Sequence, residues 1–292
     1  MIIPGMRPAL LVTGNYSPLL RREGLKESVD QIKNVFHKFD IYYQTWNGEL
    51  YKHIFKDIDE EIFTYDEPPP PPVSPYEHAF ANNIITEGYH KRRVQEFIQK
   101  DMLYTSDRLI NMCKQHYGFC LLYKDLLNKK YKKIIRTRWD IVLSKYFDPD
   151  YILHLSKTNI VGCGLSTSST RFKSVYQNSP PLSKDETALR RKRRIAREIL
   201  NENAYFLDEQ STAKKDNDHW TNFIIDFIIS FNREDFDVDK TLKLYRENKL
   251  YPAEWGWHQM MCQKRKHINI DGFAALRRNL EDIGNKKYWV WK

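Results

Sequence analysis

Within its first 46 residues the chain spells out a strand, a helix and a second strand, and this order restricts the fold more than any other feature. Ala9, Leu10, Leu11 and Val12 form an apolar run within residues 8–13, which breaks at Thr13-Gly14-Asn15. A short apolar run bounded by a turn signal is the pattern of a buried strand. Leu25, Val29, Ile32 and Phe36 then recur at helical spacing, and residues 40–46 return to a β-branched and aromatic composition. A helix between two such strands predicts a β-α-β unit, and so a sheet that is at least partly parallel.

Further along, the run Pro68-Pro69-Pro70-Pro71-Pro72 excludes helix and central strand, because proline donates no amide hydrogen bond and fixes its own φ. Residues 76–130 carry repeated apolar faces and are expected to form several helices. A third strand is expected at 134–143 and a fourth at 159–162, followed by a polar loop over 166–183. Ser183 and Glu186 have capping-box spacing, which predicts that a helix starts there and runs through the basic stretch 190–197. Apolar clusters at 223–231, 242–245 and 255–261 supply further helix or core segments, and the aromatic tail at 288–291 is expected to dock on the body.

At 292 residues the chain is long enough to bury one substantial core, and it is read as a single domain over 1–292. No apolar run approaches the ~18 residues that span a bilayer, and no secretory leader is evident. The expected compartment is therefore the cytoplasm. Cys113, Cys120, Cys163 and Cys262 lack the paired spacing of a zinc site and are expected to be reduced. A net charge of +9 favours anionic partners without choosing among nucleotide phosphates, acidic glycans, lipid headgroups and nucleic acid.

The stretch Arg136-Thr137-Arg138-Trp139-Asp140 sets three charges into an apolar run, at alternate positions that would share one strand face. A donor pyrophosphate would give the two guanidinium groups a counter-ion, and Asp140 would then bind a divalent cation or the sugar hydroxyls. An internal salt-bridge network is the other reading of the same three residues.

These segments resemble a group of bacterial and viral GT-A-like glycosyltransferases that act on surface polysaccharides. Residues 9–15 look like their first nucleotide-binding strand, 39–46 like their second, and 131–140 like the strand that bears their metal-site carboxylate. The resemblance implies an α/β, Rossmann-like, mostly parallel central sheet flanked by helices, with a helical C-terminal annex. It divides the domain into a nucleotide-sugar-binding half at 1–165 and an acceptor-side half at 166–292. A nucleotide-sugar donor, a glycan acceptor and hexosyl transfer in polysaccharide or glycoconjugate synthesis follow from it, in the cytoplasm of a bacterium or of a virus-infected cell. Thr13, Gly14, Asn15, Tyr16, Arg136, Arg138 and Asp140 are then the nucleotide-sugar-binding residues.

One departure from the family stands out: the aspartate-x-aspartate of GT-A enzymes is arginine-x-aspartate here. Either Asp140 alone holds Mn²⁺ or Mg²⁺ with the donor phosphates, which is the expectation adopted, or the arginines replace the metal. Asp218, just ahead of an apolar run, is the first candidate for the catalytic base and otherwise a helix cap. Glu254 is the rival base, in a segment with Trp255, Trp257 and His258, and otherwise a first-turn glutamate. The basic run 190–197 predicts a positive helix face able to touch an anionic membrane peripherally. Nucleic acid is not expected as the partner, and a non-catalytic protein that uses this run to bind nucleic acid or an anionic surface is the alternative to an enzyme.

Overall fold

The computed structural model describes residues 7–14, 22–46, 62–66, 103–165, 170–201, 206–207, 224–247, 250, 253–261 and 265–276. An eight-stranded sheet runs in the order β3-β2-β1-β4-β8-β6-β9-β7. Its strands are β1 (Ala9–Val12), β2 (Asp40–Trp46), β3 (Ile62–Tyr65), β4 (Lys133–Thr137), β6 (Ile160–Gly164), β7 (Phe206–Leu207), β8 (Ile228–Asn232) and β9 (His267–Asp271). β3, β2, β1 and β4 are parallel neighbours, and β6 pairs with β9 in the same direction. β8 is antiparallel to both β4 and β6, and β7 is antiparallel to β9. The sheet is therefore α/β, mostly parallel and Rossmann-like in its first half. A small second sheet pairs β5 (Ile141–Leu143) with β10 (Ala274–Leu276).

The helices are α1 (Arg22–Val35), α2 (Leu103–Asp125), α3 (Pro149–Leu155), α4 (Thr170–Asn178), α5 (Ala188–Asn201), α6 (Val238–Arg246) and α7 (Ala253–Met261). Strand alternation sorts β1 between two cores. Leu10 and Val12 join Val29, Ile32 and Phe36 of the α1 side, while Ala9 and Leu11 join Phe119, Leu242 and Trp257 of the side covered by α2, α6 and α7. Burial on both faces explains why β1 reads as an unbroken apolar run. A third cluster gathers Phe172, Ile195 and Ile199 of α4 and α5 against Leu165 and Ala275.

Several expectations are revised. The expected strand at 134–143 is two strands: β4 ends at Thr137, a turn follows, and β5 leaves for the second sheet. The reason is Trp139, which turns into the core, donates from Nε1 to the Gln44 main-chain oxygen at 2.8 Å and lies against the Tyr43 ring. The polar stretch 166–183 contains α4 rather than only loop. α5 starts at Ala188, later than the capping-box reading, because Thr187 accepts from the Arg190 amide. Glu186 is instead taken up by Arg194. The second half is not only a helical annex, since β7, β8 and β9 belong to the central sheet. The proline run, residues 76–102 and the tail at 288–291 lie outside the described residues. Cys120 and Cys163 are free and buried, and burial pushes both thiols well above their usual range. Among the described residues no helix is long and apolar enough to cross a membrane.

Candidate functional site

The chain leaves β1 for β2 on one side and reaches β4 on the other, so the carboxyl ends of β1 and β4 flank a topological switch point, where open α/β sheets receive ligands. Thr13 and Gly14 extend β1 at this end, and the Thr13 amide still pairs with the Thr137 oxygen at 2.9 Å. Arg136 stands in register between Leu11 of β1 and Ile229 of β8. Its side chain points to the α2–α7 face and is 0% exposed. Nε donates to Thr13 Oγ1 at 3.0 Å, Nη1 donates to the main-chain oxygen of Asp226, and Cζ lies 4.5 Å from the centre of the Trp257 ring. Nη2 is buried and makes no hydrogen bond among the described residues. Burial pushes this guanidinium down to about 9, against an upward pull from Asp226, which leaves it charged at neutral pH.

Arg138 and Asp140 do not share a strand face with Arg136, because they lie in the turn that follows β4. Within this turn Arg138 grips Asp140 with two bonds, Nε to Oδ1 at 2.8 Å and Nη2 to Oδ2 at 3.2 Å. Its Nη1 reaches Gln115 Oε1 at 3.2 Å and Asp226 Oδ2 at 3.4 Å. Asp140 is 2% and Arg138 8% exposed, so this fork-to-fork pair is shielded from water. The salt-bridge reading of these two residues is thus what their geometry displays, at the tip of the first strand.

A divalent cation at Asp140 fits this arrangement poorly. Mg²⁺ and Mn²⁺ need carboxylate oxygens open to them, whereas each Asp140 oxygen already accepts an N–H from Arg138, and a cation there would face the guanidinium charge. Among the described residues no group of three or more His, Cys, Asp or Glu side chains gathers.

Of the sequence-predicted site residues, Thr13, Gly14, Arg136, Arg138 and Asp140 come together at the switch point. Asn15, Tyr16 and Asp218 lie outside the described residues. Glu254 falls in the first turn of α7, the helix that also supplies Trp257. Trp46 is core, stacked on Tyr117, and Asp40 is structural at the opposite end of β2, bound to Arg7 and to the Tyr131 hydroxyl.

The basic run is less available than its composition suggests. Arg191 stacks on Tyr176 and donates to the Ser179 and Tyr176 oxygens, Arg194 pairs with Glu186 and Glu198, and Arg193 is buried. Arg190, Lys192 and Arg197 remain on the surface.

Sequence reasoning missed Asp226, Gln115 and Gln44. Asp226 carried the same signal as Arg136, a lone charge within the apolar run Ile224-Ile225-Asp226-Phe227-Ile228. Gln44 Oε1 accepts from the Gly14 amide at 3.4 Å, while its Nε2 is buried without a partner among the described residues. A hollow of about 10 Å³ beside Ala9, Leu11, Tyr123 and Arg233 lies at the amino end of the strands, away from these residues. It has room for about one water molecule. In comparison with known proteins, no family model matches the chain and no curated protein is significantly similar to it.

Proposed function

We propose that this chain is a GT-A-type glycosyltransferase that moves a hexosyl unit from a nucleotide-diphosphate sugar to a hydroxyl of a glycan acceptor, in surface polysaccharide or glycoconjugate synthesis. The supporting observation is Arg136: a charged guanidinium at the switch point, beside Gly14, whose described hydrogen bonds are all to neutral acceptors. A departing nucleoside diphosphate develops negative charge on its phosphate oxygens, and a fixed, water-shielded cation stabilises that charge. The sheet order, with β8 antiparallel between β4 and β6, is compatible with the GT-A type.

The acceptor hydroxyl needs a base if the anomeric centre inverts, and Asp218 and Glu254 remain the candidates. Mn²⁺ or Mg²⁺ would take part only after Arg138 released Asp140. The nucleic-acid alternative draws less support, because the arginines at 191, 193 and 194 are already engaged or buried.

A panel of nucleotide sugars tests the proposal by thermal shift and by release of the nucleoside diphosphate. At least one donor should stabilise the protein and be hydrolysed or transferred. A panel with no binder and no turnover, with or without divalent metal, removes the transferase reading.

A further inference from the structure

Buried polar groups are nearly always paired, so a buried donor without a partner calls for an explanation. Two such donors sit at the tip of β1, and neither belongs to the Arg138–Asp140 pair. Arg136 Nη2 is one and Gln44 Nε2 the other. Both side chains adjoin Gly14: Gln44 through its Oε1 on the Gly14 amide, and Arg136 through Nη2, 3.9 Å from where a Gly14 Cβ would stand. The nearest atom to that Cβ position among the described residues is Gln115 Cγ at 3.8 Å, so a methyl-sized group would stand in ordinary contact with the guanidinium edge. Gly14 has φ of 121°, a conformation that other residues rarely adopt, and the lack of a side chain keeps this space clear.

The chemistry of the space is one-sided. The cationic donor Arg136 Nη2 borders it, and the carboxylates of Asp140 and Asp226 are directed to Arg138 instead. A buried guanidinium donor selects an anionic oxygen over a cation. Resting on the transferase reading, we infer that an anionic phosphoryl oxygen of the donor diphosphate docks on Arg136 Nη2 beside Gly14, without a divalent cation at Asp140.

Calorimetric titration of the full chain with UDP, GDP, CDP, ADP and inorganic pyrophosphate, in EDTA and separately in Mn²⁺, tests this. At least one nucleoside diphosphate is expected to bind in EDTA within about threefold of its affinity in Mn²⁺. Arg136→Met is expected to weaken it tenfold or more, in EDTA and in Mn²⁺ alike. Because Arg136→Met removes buried bonds, Arg136→Lys provides a second variant that keeps a cation and removes the Nη2 donor; it should weaken binding comparably, with an unchanged circular-dichroism spectrum.

Binding that requires Mn²⁺ overturns the inference and leaves the transferase reading standing. Pyrophosphate binding that depends on Arg136, with no nucleotide bound, supports the anion position and removes the transferase reading. Absence of binding by every probe overturns the inference, and sugar turnover then decides the reading separately.

Discussion

Arg138 and Asp140 are two residues apart and each answers the other's burial. Removing one partner of a buried pair strands the other charge, at a cost of about 3–5 kcal/mol. Arg138→Met should therefore lower the unfolding free energy by about that amount in urea titration, and Asp140→Asn added to it should restore part of the loss. If the two effects simply add, the pair is not the unit described. His258 gives a separate test. Burial lowers its pKa, so the ring stays neutral in the fold while the unfolded chain takes up a proton near pH 6.5. The stability this contributes is complete above that pH and is lost as pH falls through the lowered folded value. His258→Gln should accordingly lose less stability than the parent between pH 7 and pH 5, measured by thermal melts. At this scale the sequence was half legible. Charges inside an apolar run announced themselves at Arg136, Arg138 and Asp140, but Asp226 is 88 residues from Arg138 and no local pattern links the two.

Elements were legible where one period dominated. β1, α1 and β2 follow from apolar spacing, and β2 has the expected bounds at Asp40–Trp46. β8 lies in an apolar run that suits a helix or a strand equally, and only its pairing with β4 and β6 decides the matter. β9 escaped because His267, Asn269 and Asp271 alternate with Ile268 and Ile270, a half-exposed pattern, whereas all five residues are buried. Asn269 shows what such a residue does: its Oδ1 accepts from the Ile225 amide at 3.0 Å and holds the segment that carries Asp226. Gly162 of β6 lies beneath that contact. A Cβ there would stand 2.5 Å from Asn269 Oδ1 and 2.9 Å from the Ile225 nitrogen. Gly162→Ala should destabilise the protein by about 2–4 kcal/mol, through overpacking and the lost bond, as read by urea unfolding. A neutral result would mean that the segment shifts freely, and Asp226 with it.

Across the whole molecule, the division into halves at residue 165 does not match the way the sheet is laced. β6 belongs to the first half, yet both of its neighbours, β8 and β9, come from the second. A fragment of residues 1–165 would leave β6 detached and β4 with an open edge. It should show no cooperative thermal transition by circular dichroism, and mixing it with a 166–292 fragment should restore one if the halves assemble. The position of β8 also sets a timetable for synthesis. β4 emerges from the ribosome well before Asn232, so the nascent protein waits with one edge of β4 open and β6 without either neighbour, and an exposed strand edge in that interval is the natural target for a chaperone.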